Sequence, residues 1–247
     1  MSLFSTTTSC FRKFLHVIFP ATCASCDLAL WNDPVPFVCH TCWESLMPLS
    51  GPCCPHCGAP YISSVALTHS PAHECGACRS KSPAYTQSWS LFPYQSPLKE
   101  AIILFKYRGK RSLTKPFIQK MIPALPALPN IDLLMPVPLH PQRLREREYN
   151  QSHLLAHGLS QHLQAPLLIS CLLRVRPTVP QTSLTKKQRL TNLHRAFSVN
   201  DASHIQDKRI LLIDDVFTTG TTLHECAKTL RKAGSGPVYG LTLARMI

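Results

Sequence analysis

The stretch Ile210-Leu211-Leu212-Ile213-Asp214-Asp215-Val216-Phe217-Thr218-Thr219-Gly220-Thr221-Thr222 decides the fold class. An apolar strand ends in two acids, a turn rich in hydroxyls follows, and Thr222-x-x-Glu225 has the spacing of a capping box that opens a helix. Backbone N–H groups at such a helix start, with threonine hydroxyls beside them, suit a phosphate monoester, and Gly220 permits close backbone approach. Ligands of open α/β sheets lie beyond the carboxyl ends of the strands, where this turn would sit. Each feature alone also has a plain explanation, since paired acids hold Mg²⁺ in unrelated phosphotransfer folds and threonine-rich turns serve as helix caps.

Outward from this stretch, from Trp89 on, short β-like runs alternate with amphipathic helices, which predicts an α/β domain with a mainly parallel sheet. Strands are expected over Leu91–Tyr94, Asp132–Val137, Arg209–Ile213 and Val238–Leu243. Ser96 would cap a helix with Pro97 at its first position and Leu98, Ala101, Ile102 and Phe105 on one face. Further helices are expected over Ser112–Ile122, from Asn150 or Ser152 through Leu163, and over Thr222–Ala233, the last ending at Gly234.

A second segment follows the strand ending at Val137: Pro138-Leu-His140-Pro-Gln-Arg143-Leu-Arg145-Glu-Arg147-Glu148-Tyr149-Asn150-Gln151. Read as a loop, it places Arg143, Arg145 and Arg147 where forked guanidinium groups could bind pyrophosphate oxygens. A solvated basic loop is the plainer alternative.

Nine of the 12 cysteines lie between Cys23 and Cys78. Eight form CxxC pairs: Cys23/Cys26, Cys39/Cys42, Cys54/Cys57 and Cys75/Cys78, with 12 and 17 residues inside the two loops. That spacing is characteristic of tetrahedral Cys₄ zinc sites, closed and structural, so two Zn²⁺ ions are expected. Sequential pairing closes the shorter loops, an interleaved pairing of first with third and second with fourth remains open, and Cys53 could substitute for a neighbour. His40, His56, His69 and His73 are expected in loops, and Cys10, Cys171 and Cys226 as isolated thiols.

The N-terminal apolar stretch Phe14–Phe19 contains His16 and ends at Pro20, too short for a signal peptide, and no stretch reaches the roughly 20 apolar residues of a membrane span. A cytoplasmic protein with reduced cysteines is the expectation. Phe11, Phe14, Leu15 and Ile18 recur at helical spacing, which predicts an amphipathic helix within residues 1–22, packed on its own protein rather than on a membrane. A cysteine-rich head over 23–85 and the α/β domain over 86–247 complete the expected organisation. With 45% apolar residues the chain can bury a core, which excludes wholesale disorder, and its net charge of +13 favours polyanionic partners. Eight metal-bound thiolates with two Zn²⁺ would lower that charge only to about +9.

The acid pair and threonine turn resemble the phosphoribosyl pyrophosphate (PRPP) motif of type I phosphoribosyltransferases. That resemblance implies that Asp214 and Asp215 contact the ribose hydroxyls, that Thr218, Thr219, Gly220, Thr221 and Thr222 hold the 5′-phosphate, and that Mg²⁺ accompanies PRPP. Together with the cysteine head, Phe105-Lys106-Tyr107-Arg108-Gly109-Lys110, the arginine segment and Arg189–Phe197, the chain resembles the ComF family over nearly its whole length. Glu148 departs from that pattern where the family carries glycine, and Phe217 where an aliphatic residue is commoner.

The resemblance implies natural transformation, with imported single-stranded DNA and with helicase-like and recombination-mediator proteins as partners. Three functional forms follow: a phosphoribosyltransferase that displaces pyrophosphate through an oxocarbenium-like transition state, a PRPP-sensing module that binds single-stranded DNA, and a protein-docking module built on the zinc head. No residue in the sequence stands out as the reader of an acceptor base.

Overall fold

The computed structural model describes residues 21–61, 63, 70, 73–176 and 195–247. The expected N-terminal amphipathic helix through residue 20, Cys10, His69 and most of the Arg189–Phe197 motif lie outside them. In chain order the described helices and strands are α1 (His40–Glu44), α2 (Gly76–Ser80), β1 (Gln87–Pro93), α3 (Leu98–Tyr107), α4 (Thr114–Met121), β2 (Leu133–Pro136), α5 (Pro141–Arg147), α6 (Gln151–Leu163), β3 (Leu172–Arg174), β4 (Phe197–Val199), β5 (Ile210–Phe217), α7 (Thr221–Lys232) and β6 (Val238–Arg245).

The main sheet is parallel throughout, with strand order β1-β6-β5-β2. Ile210, Leu211, Leu212 and Ile213 are all fully buried, because both faces of β5 are covered. Leu211 and Ile213 join Phe105, Phe117, Leu155 and Leu159 on the face covered by α3, α4 and α6. Ile210 and Leu212 join Leu223, Ala227 and Leu230 of α7 on the other. The period of two along β5 thus sorts its side chains into two cores. Gly158 lets α6 approach α4: a Cβ there would stand 2.6 Å from Ile118.

The cysteine head contributes to both cores. Cys23, Leu30, Val38 and Trp43 belong to the first, with Trp43 5.8 Å from the Phe117 ring, while Cys54, Cys57, Cys78 and Tyr85 belong to the second. Burying a side chain such as Phe117 stabilises by about 2–3 kcal/mol, so each half of the head shares the apolar free energy of the sheet face it covers. Lys120 with Glu44 at 3.2 Å and Lys110 over the Phe37 ring at 4.7 Å add polar ties on the first side.

Three local expectations change. Ser96 does not cap α3: its hydroxyl meets that of Ser25 at 2.9 Å, and Pro97 takes the cap position. The capping box at Thr222 does not form, because Gly220, with φ +74°, turns the chain one residue earlier and α7 begins at Thr221. The arginine segment is not a loop but helix α5, started by His140, whose ring accepts the Gln142 N–H, and by Pro141 at the first position.

Candidate functional site

The eight CxxC cysteines gather as Cys23, Cys26, Cys39, Cys42 and as Cys54, Cys57, Cys75, Cys78, with the sulfurs of each group within 4.8 Å of one another. The pairing is therefore sequential, and Cys53 stays outside it. Backbone N–H groups point at three of the sulfurs, from Cys39 to Cys23 Sγ at 3.3 Å, from Cys42 to Cys39 Sγ at 3.5 Å and from Cys75 to Cys54 Sγ at 3.4 Å. Burial opposes ionisation of Cys23 and Cys54, yet these and neighbouring backbone donors outweigh it and bring the thiols down to about 7 and about 6. Burial and neighbouring sulfurs push Cys42 up to about 12 and Cys57 up to about 11. A cluster with some thiolates favoured and others resisting suits a divalent cation, whose charge would ionise the remainder. Each group fits one structural Zn²⁺ with four sulfur ligands and no open position.

The second candidate site lies at the carboxyl end of β5. Asp214 accepts hydrogen bonds from the Ser152 hydroxyl and from the Asp215 N–H, both at 2.9 Å. Burial first, and then the neighbouring Asp215 charge, push the Asp214 carboxyl up to about 7. Asp215 meets the Lys106 ammonium at 2.7 Å, with the two side chains 10% and 17% exposed. Burial opposes the Lys106 charge, but Asp215 and then Asp214 hold its pKa above the usual lysine value.

The Tyr149-Asn150-Gln151-Ser152 run assembles this site. Tyr149 donates its hydroxyl to the Phe105 carbonyl, and Gln151 Nε2 donates to the Phe105 and Lys106 carbonyls at 3.4 Å each. Asn150 caps α6 by accepting the Ser152 N–H, and Ser152 reaches Asp214. Four consecutive residues therefore bind the end of α3, the start of α6 and the acid pair together. Glu148, just before them, has φ +64°. That left-handed conformation suits glycine and costs another residue about 1–2 kcal/mol.

Helical geometry separates the three arginines. Arg143 and Arg147, one turn apart, line a cavity of about 420 Å³ with Lys106, Tyr107, Gly109, Glu146 and Glu148, whereas Arg145 is exposed and is not among its lining residues. Arg147 stacks over the Tyr107 ring at 4.7 Å and donates to Gln151 Oε1 at 3.2 Å. Arg174, buried on β3 over the Phe197 ring, lies within electrostatic reach of Asp214, Arg143 and Arg147.

At the threonine turn the Thr219 and Thr221 hydroxyls meet at 2.8 Å, and Thr218 and Thr222 flank them at the start of α7. A Cβ on Gly220 would stand 2.6 Å from Phe217 Cζ and 3.1 Å from the Tyr85 hydroxyl. Phe217 lies 4.3 Å beneath the Arg245 guanidinium, which donates to the Cys57 carbonyl at 2.6 Å. The turn thus rests on the second cysteine cluster through Phe217 and Arg245.

The sequence marks Lys106 only as a cation at the end of an amphipathic helix, Ser152 only as a possible helix start and Arg174 only as a cation in an apolar run.

A model described as double zinc ribbon domain matches residues 14–79, and one described as phosphoribosyl transferase domain matches residues 150–239. Competence protein F of Haemophilus influenzae is 32% identical over 215 residues, covering 84% of this chain and 90% of that protein. Competence protein ComFC of Bacillus subtilis is 31% identical over 214 residues, 84% of each chain. The DNA utilization protein YhgH of Escherichia coli is 29% identical over 229 residues, 83% of this chain and 97% of that one. Cys₄ clusters, a parallel sheet ending in the acid pair, and a match along the length of these relatives converge on one conclusion: the chain belongs to the ComF family.

Proposed function

We propose that this protein binds PRPP at the carboxyl end of β5 and acts in natural competence, handling imported single-stranded DNA in the cytoplasm. The observation that carries the first part is the convergence of the acid pair, the turn at the start of α7 and the cavity lined by Lys106, Arg143 and Arg147. Asp214 and Asp215 would receive the ribose hydroxyls, Thr218–Thr222 the 5′-phosphate, and Arg143 with Arg147 the pyrophosphate. Arg145, outside the cavity, would contribute only to the positive field. Because Asp215 already holds an ammonium, any Mg²⁺ would arrive on the ligand's own oxygens and would offset charge on the pyrophosphate.

The competence role is supported by the names of the relatives, and the net charge of +13 supports binding of single-stranded DNA through its phosphates. Helicase-like and recombination-mediator proteins are the partners proposed for the zinc head. A second reading, turnover of PRPP with an acceptor, is favoured by a mainly apolar hollow of about 670 Å³ between α5, α6 and β3, with Asn150, His153 and Arg174 among its polar groups.

Calorimetry with PRPP tests the central reading, with binding expected and its absence both with and without Mg²⁺ sinking it. A pyrophosphate-release screen over purine and pyrimidine acceptors separates turnover from sensing. Electrophoretic shifts with single-stranded DNA at two salt concentrations test the DNA role, with affinity expected to fall steeply as salt rises.

A further inference from the structure

The cation nearest the acid pair is not one that arrives with a ligand. Lys106 occupies the last turn of α3, and its ammonium meets Asp215 Oδ1 at 2.7 Å while also lining the cavity that holds Arg143 and Arg147. The side chain is 17% exposed, and its backbone is fastened by the Gln151 amide to the Lys106 carbonyl and by both Tyr149 and Gln151 to Phe105. An ammonium has three donors, so one contact to Asp215 leaves it able to serve a ligand oxygen on the cavity side. Asp215, likewise, keeps a second oxygen for a hydroxyl.

We propose that Lys106 is a resident counter-ion of the acid pair, positioned to bridge Asp215 and the pyrophosphate of the ligand, so that this cleft binds pyrophosphate-bearing ligands without a divalent cation. The inference rests on the PRPP reading above and deepens it.

Three observations support it. A divalent ion at Asp215 would have to approach a fixed ammonium at contact distance or displace it from a largely buried position, and both are unfavourable. Asp214 offers little compensation, since one of its oxygens already accepts from both the Ser152 hydroxyl and the Asp215 N–H. The cavity meanwhile supplies three cations to the ligand side, with Glu148 held by Arg111 at 3.4 Å and Glu146 reached by the Gln142 amide at 3.1 Å. The charge that other sites would draw from a metal is here carried by side chains.

The test uses inorganic pyrophosphate as probe, on the full-length zinc-loaded protein, in buffer freed of divalent ions over a resin. A soluble chelator is avoided because it would strip the cysteine clusters. Wild-type affinity without Mg²⁺ is expected within about threefold of that with Mg²⁺. Lys106→Met should lower the metal-free affinity about tenfold or more, the range of a hydrogen bond between charged groups, and Mg²⁺ should restore a large part of it. Lys106→Arg, which keeps the charge, should retain metal-free binding.

A structural role alone would lower affinity equally with and without Mg²⁺, and that result overturns the proposal. So does wild-type binding that requires Mg²⁺, which needs no variant and therefore decides the matter even if Lys106→Met does not fold. Wild-type protein that binds neither pyrophosphate nor PRPP under either condition would overturn the PRPP reading instead. Wild-type protein that binds PRPP only with Mg²⁺ would leave that reading standing and remove this one.

Discussion

Replacing the two acids one at a time should move stability in opposite directions. The Asp214 carboxyl is raised from 3.8 to about 7, so the folded protein holds a proton that the unfolded chain has released across that window. Stability therefore falls as pH rises from about 4 to about 7 and stays low above it. At full value this shift corresponds to ~4 kcal/mol, and solvent access with local relaxation reduces this to ~2 kcal/mol. Asp214→Asn removes the deficit while its side-chain oxygen still accepts from Ser152 and the Asp215 N–H. It should raise Tm by about 4–8 °C at pH 8 and by only about 2 °C at pH 5, where less of the deficit has developed. Asp215→Asn leaves the Lys106 ammonium without its carboxylate and should destabilise by about 3–5 kcal/mol, a loss that Lys106→Met in the same background should partly reverse. Thermal unfolding of the zinc-loaded variants at both pH values is the assay. An Asp214→Asn gain no larger at pH 8 than at pH 5 would refute the burial argument, and a harmless Asp215→Asn would refute the ion-pair argument.

Elemental analysis should find about two zinc ions per chain. Cys57→Ser should weaken phosphate binding more than Cys39→Ser, because the Cys57 carbonyl holds Arg245 above Phe217 whereas Cys39 belongs to the opposite core; equal effects in phosphate titrations would break that link. Gly220→Ala should cost about 1–3 kcal/mol from overpacking against Phe217 and Tyr85 at positive φ. Its phosphate affinity should fall as well, and a fully stable variant with unchanged affinity would remove the turn from the site.

How much of this was legible depended on whether the deciding interaction was local. The β5 run and acid pair could be read because apolar patterning and turn chemistry act within about a dozen residues, and the CxxC pairs because their geometry is set by two intervening residues. Zinc pairing was only favoured, since loop length ranks the alternatives by a slowly varying entropy, whereas the fold separates the clusters onto opposite faces of one sheet. Alternating charges in the arginine segment suggest an extended loop, whereas His140 and Pro141 together start a helix that puts Arg143 and Arg147 on the cavity and Arg145 away from it. Lys106 was hidden because its partner lies 109 positions away and its own neighbours describe an ordinary helix end.

The Tyr149–Ser152 run shows why that long-range pairing is nevertheless encoded. Its side chains have no apolar periodicity to declare them, yet together they bond three elements, so a change at any one would loosen α3, α6 or the acid pair. The charge balance of the cleft is therefore set by residues that need touch no ligand: Gln151 and Tyr149 fix the backbone that carries Lys106, and Ser152 fixes Asp214. Losing the Gln151 amide should consequently weaken metal-free pyrophosphate binding through Lys106 while leaving phosphate at the α7 turn unaffected, a separation that a general loss of packing would not produce.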